Sequence, residues 1–132
     1  MLNIIKNITD KIDSNTLTIE DKEDFINNHN IRVLSWTTQL PESFIEAFED
    51  YISWSGVSAN TDYISESFII KHRDKIDLNK VIFTRCLSST FVEDNINYII
   101  KEKLDLINLK FYQSHLGNEL FEKIEMIMEL GK

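Results

Sequence analysis

The sequence predicts an all-α protein: a compact stack of short helix pairs, about four degenerate repeats of roughly 23 residues, between N- and C-terminal capping helices. Three observations carry that expectation. The phrase "LPESFI" from Leu40 returns as "ISESFI" from Ile64 and as "LSSTFV" from Leu87. A second phrase lies between the copies: "ISWSGV" from Ile52, "IDLNKV" from Ile76 and "LDLINL" from Leu104. Finally, Pro41 and three glycines are the only strong chain breakers, too few for a loop-rich or β-rich fold.

The elements follow in chain order. "MLNIIKNITDKI" places Met1, Ile5, Ile8 and Ile12 on one helical face, giving an N-terminal helix that covers the first repeat. Phe25 in "EDFI" anchors the first unit, and "HNIRVLS" supplies its second helix, with Asn30 at the cap and Leu34 in the staple position. Phe25 lies 19 residues before Phe44, a shortfall that fits a helix one turn shorter. In the next two units Ser53 and Asp77 cap the second helix, with apolar pairs Ile52 and Val57, Ile76 and Val81 at staple spacing; Asp105 with Leu104 and Leu109 repeats the arrangement. Ser65 and Ser88 cap the anchor helices, and Pro41 replaces the cap serine in the unit of Phe44, where a missing N–H is harmless. Phe44 to Phe68 is 24 residues, with one extra before "ISESFI", and Phe68 to Phe91 is 23. Leu120 lies 29 after Phe91, a surplus assigned to "NYIIKEK" as a lengthened helix reaching about Lys103. "FEKIEMIMEL" forms the closing helix, with Phe121, Ile124, Ile127 and Met128 on one face before Gly131. The whole, residues 1–132, reads as a single helical-repeat domain without a linker.

From Asp24 to Phe121 this pattern resembles the short "LSExFI" and "LDWxxIS" repeat of bacteriophage and large-DNA-virus proteins. Trp54 stands where the repeat has Trp, with Leu78 and Leu106 in its place later; Ser35 and Ser58 fall on or next to its final Ser, from which Ile82 departs. The resemblance implies an α-helical repeat and a viral or mobile-element origin, but no single activity. Richness in Lys, Asn and Ile agrees with an AT-rich genome.

A formal charge of −8 argues against broad nucleic-acid binding, which rests on Lys and Arg, and favours a protein partner with a basic surface. One cysteine, no signal-like opening and no long apolar run give an expectation of neither secretion nor a membrane span, hence the cytoplasm of a host cell. Cys86 reads as a small buried apolar side chain. His29, His72 and His115 have no His or Cys at i+3 or i+4 to pair with on a metal, and read as structural. No glycine-rich phosphate loop and no nucleophile elbow occur, so neither catalytic residues nor a cofactor or metal is expected.

The strongest functional signal is charge. Between Val33 and Ile70 there is no Lys or Arg, whereas Glu42, Glu46, Glu49, Asp50, Asp62 and Glu66 fall there. Glu42, Glu46 and Glu49 share the helix face opposite Phe44, Ile45 and Phe48. Trp36 lies outside the apolar positions and reads as a part-exposed interface anchor. The expectation is a non-catalytic protein-binding module, in its strongest form a viral inhibitor whose acidic face occupies the basic nucleic-acid groove of a host defence or replication protein. The alternative is a self-associating scaffold, and a carboxylate- and divalent-ion-dependent hydrolase stands third.

Overall fold

Local capping explains where the helices begin. The computed structural model describes residues 2–62, 64–102 and 106–130, and these contain eleven α-helices, one 3-10 turn and no strand. The protein is all-α. Met1, Lys103, Leu104, Asp105 and Gly131, to which expectations above were attached, lie outside the described residues. The chain forms two compact units, Met1–Asp77 and Leu78–Lys132.

Six helices build the first unit: α1 Asn3–Asp13, α2 Ile19–Asn28, α3 Ile31–Thr37, α4 Glu42–Ala47, α5 Trp54–Ala59 and α6 Glu66–Lys71. Helix α1 buries Ile5 and Ile8 and packs on α4. Side chains of Asn30, Ser53 and Ser65 accept from the backbone N–H groups of Val33, Gly56 and Phe68, three residues on. Each such cap is worth about 1 kcal/mol. Helix α2 starts with a reciprocal capping box: the Thr18 hydroxyl accepts from Asp21 N–H at 3.0 Å, and the Asp21 carboxylate accepts from Thr18 N–H at 3.2 Å. Lys11 adds an ion pair to Asp21 at 3.3 Å, joining the end of α1 to the start of α2. The Thr18 N–H first, and then Lys11, hold the Asp21 carboxyl below its usual range.

The core of this unit follows the repeated phrase. Phe44, Ile45, Phe68 and Ile69 are buried, as is Phe25. Four residues after each anchor, the next helical turn supplies a second ring: His29 lies 4.5 Å from Phe25, Phe48 4.7 Å from Phe44, and His72 4.5 Å from Phe68. Phe25 also meets Phe44 and Phe48 at 5.6 and 5.4 Å, so consecutive anchors share one aromatic cluster. Burying each such phenyl group contributes about 1.5–3 kcal/mol.

Five helices form the second unit: α7 Leu78–Thr84, α8 Ser89–Asp94, α9 Ile96–Lys101, α10 Leu106–Tyr112 and α11 Asn118–Leu130. The Ser88 hydroxyl caps α8 by accepting from Phe91 N–H at 3.0 Å. Its core holds Leu78, Val81, Ile82, Leu87, Phe91, Val92, Ile99, Leu109, Phe121 and Ile124. Gly117 has φ +85, in the left-handed region that glycine tolerates, and turns the chain from the 3-10 turn Ser114–Leu116 into α11.

Three local expectations are corrected. The 19-residue spacing from Phe25 to Phe44 does not shorten a helix: α2 runs three residues past its anchor, as do α4 and α6. The loss falls in the connection, which is His29–Asn30 here and residues 48–53 in the next unit. The surplus in "NYIIKEK" does not lengthen α8; it forms a separate helix, α9. Asn95, at φ −122° and ψ 26°, leaves helical geometry between α8 and α9, and its backbone N–H and side-chain amide both donate to the Phe91 carbonyl, at 3.1 and 2.8 Å. Cys86 is exposed rather than buried, because Leu87 beside it fills the core position.

Candidate docking surface

The acidic residues sit on the anchor helix of one repeat and reach toward the next. Helix α4 ends at Ala47, so Glu42 and Glu46 are helical, and Glu49 and Asp50 belong to the turn that follows. The Glu42 carboxylate accepts from the Ser65 hydroxyl at 2.9 Å, Glu46 pairs with Lys71 at 2.8 Å, and Glu49 pairs with Lys75 at 3.4 Å. Partners are 23, 25 and 26 residues apart, about one repeat each. The three carboxylates that form one row in the sequence are thus met by successive groups one repeat on, Glu42 by the Ser65 hydroxyl and Glu46 and Glu49 by Lys71 and Lys75 after the base-free stretch. Glu46, and behind it Glu49 and Glu42, raise the Lys71 ammonium above its usual range. Lys75 also stands 5.4 Å over the Trp54 ring. Asp62 accepts from Gln39 at 2.7 Å, Asp50 is exposed, and Glu66 opens α6 half-buried, next to the Ser65 cap.

Charge is uneven between the units. The first carries seven Lys and Arg against fourteen Asp and Glu, a net of −7; the second carries seven against eight. Exposed ion pairs of this kind are worth about 0–1 kcal/mol, because water competes for both charges. A partner's arginines or lysines can replace Lys71 and Lys75 at little cost.

Trp36 is 48% exposed on α3, with Val33 exposed one turn before it. What fixes it is the junction of α3 with α5. The Ser35 hydroxyl donates to the Ile31 carbonyl at 2.9 Å and accepts from Ser53 N–H at 3.0 Å, so the first turn of α5 hangs on α3. Asn60 donates to the carbonyls of Ser35, Trp36 and Gly56. Gly56 lets the two helices approach: an added Cβ would lie 2.9 Å from the Ser35 carbonyl atoms. Ser58 repeats the role of Ser35, donating to the Trp54 carbonyl at 2.7 Å and accepting from Asp77 N–H at 2.8 Å.

The second unit uses another residue for this task. Gln113, fully buried, donates to the carbonyls of Ile82 and Arg85 and accepts from Leu87 N–H, each at 2.8 Å. The His115 ring nitrogen bonds the Leu87 carbonyl at 2.7 Å. Sequence reading missed Gln113 altogether; the departure of Ile82 from the serine pattern was the signal that a substitute was needed. It also took His29 and His72 singly, although both stand four residues after an anchor phenylalanine. Among the described residues no three His, Cys, Asp or Glu side chains gather where they could hold a metal ion, and no helix is long and apolar enough to cross a membrane. Comparisons with protein-family models, with curated proteins and with solved structures give no match.

Proposed function

We propose that this chain is a non-catalytic protein-binding module of bacteriophage or large-DNA-virus origin, whose first unit docks on a basic surface of a partner protein in the host cytoplasm. In its sharpest form the partner is a host defence or replication protein, and the docked face blocks its nucleic-acid-binding groove. One observation carries the reading: seven net negative charges concentrate in a unit whose Glu42, Glu46 and Glu49 are met by the exposed Ser65, Lys71 and Lys75, the two lysine pairs being exchangeable. Such carboxylates offer a basic groove the acceptors it uses for phosphates.

The test uses opposite substitutions. Host proteins retained by the immobilised native chain at low salt are compared with those retained by Glu42→Lys/Glu46→Lys/Glu49→Lys and by Lys71→Met/Lys75→Met. A nucleic-acid-handling protein should bind the native chain, be displaced by salt and by duplex DNA, be lost with the lysine triple variant and be held more tightly by the methionine double variant. Retention indifferent to salt and to both variants would refute the acidic face as the docking surface.

A further inference from the structure

The second unit leaves an apolar face uncovered. On α10, Ile107 and Phe111 stand one turn apart and are 78% and 75% exposed; on α7, Phe83 is 47% exposed. Tyr112 joins them, edge-on to Phe83 at 4.5 Å and to Phe111 at 5.0 Å, so the three rings and Ile107 form one patch. These four residues expose roughly 450–500 Å², within the ~300–600 Å² of the largest patch on an ordinary monomer, which is often functional.

We propose that this patch is a homodimer interface, covered by the α7 and α10 face of a second copy across a two-fold axis. Area supports a second copy as the occupant. Two such faces together remove about 900–1,000 Å², most of the ~1,200–2,000 Å² of a stable interface, so a rim of a few hundred Å² around them completes it.

Charge supports the same occupant. Neither α7 nor α10 contains Asp or Glu, although the chain carries 22 of them. Each helix has one lysine, and Lys110 is neutralised by Glu125 of α11. Two copies therefore meet here without opposing carboxylates, whereas contact through the first unit would set net charges of −7 against each other. The inference goes beyond the docking of a basic partner and stands without it: one surface is acidic and in the first unit, the other apolar and in the second.

Sedimentation velocity from micromolar to submillimolar concentration tests it, on the native chain, on Ile107→Asp/Phe111→Asp and on Val33→Asp/Trp36→Asp. All four positions are exposed, so both variants should keep the native far-UV circular dichroism. The native chain should pass from monomer to dimer with concentration, with little response to moderate salt. The α10 variant should need at least about tenfold more protein to dimerise, and the α3 variant should behave as native. A native chain that stays monomeric overturns the proposal. So does a dimer that survives the α10 variant, or one that is lost in the α3 variant.

Discussion

Replacing Gly56 by alanine sets two effects of similar size against each other. In a helix interior alanine is favoured over glycine by about 1 kcal/mol, so on propensity alone Gly56→Ala stabilises α5. Packing has the opposite sign. The new Cβ would lie 2.9 Å from the carbonyl carbon and oxygen of Ser35 and 3.0 Å from Cγ of Trp36. Carbon atoms in comfortable contact are about 3.5–4.0 Å apart, so α5 must retreat from α3 by roughly half an ångström or more. The junction resists that retreat, because Ser53 N–H donates to the Ser35 hydroxyl at 3.0 Å and Asn60 to the Ser35 carbonyl at 3.2 Å. Overpacking of this kind costs about 1–3 kcal/mol, and stretching those bonds adds part of the ~0.5–1.5 kcal/mol each is worth. After subtracting the propensity gain, Gly56→Ala should be less stable by about 1–2 kcal/mol. Urea unfolding followed by circular dichroism should show a lower midpoint at unchanged slope. A variant as stable as the native chain, or more so, would refute the close approach of α3 and α5.

Gln113→Leu keeps the volume but leaves the Leu87 N–H and the Ile82 and Arg85 carbonyls without their side-chain partner; unfolding should show a loss of about 2–4 kcal/mol, and a loss below about 1 would mean that water replaces the amide. His72→Phe acts in the other direction. Among the described residues the buried Nε2 of His72 has no hydrogen-bond partner, and Phe48, at the same place one repeat earlier, already stacks on its anchor. The variant should be neutral or more stable by up to about 1 kcal/mol, and a clear loss of thermal stability would show that the imidazole makes a needed contact. Acid should weaken the joint of α1 and α2. The Asp21 carboxyl is depressed in the folded state, so its contribution is complete above its unfolded value of 3.8 and disappears as pH falls through the folded one. The stability gap between the native chain and Asp21→Asn should be constant near neutrality and close below about pH 4; a gap independent of pH would remove the ionised carboxylate from the account.

How much was legible depends on how local the signal is. Helix starts at Asn30, Ser53, Ser65 and Ser88 could be read from sequence because a cap and the N–H groups it satisfies lie within one turn. Burial of Phe44, Phe68 and Phe91 was readable for a related reason: recurrence at repeat spacing marks a position that the same packing uses again. The break at Asn95 was not readable, since a single residue leaving helical geometry, here at φ −122° and ψ 26°, leaves the apolar period on either side intact. Cys86 was misjudged because composition gives a residue's average burial and says nothing of which neighbour takes the core position.

Sequence by itself determined an all-α chain of short capped helices, its anchor residues, its acidic balance and the stretch that holds most of it. Those properties are set by composition or by contacts within one turn, so they survive without knowledge of the neighbours. Only the tertiary structure decided which groups meet across a repeat: Glu46 with Lys71 and Glu49 with Lys75, Ser35 with the cap of α5, and Gln113 in place of a serine. Only it, too, showed Ile107, Phe111, Phe83 and Tyr112 left in the open on adjacent helices. The period of a sequence fixes which side of a helix is apolar, but whether that side is covered depends on what the remainder of the chain brings against it.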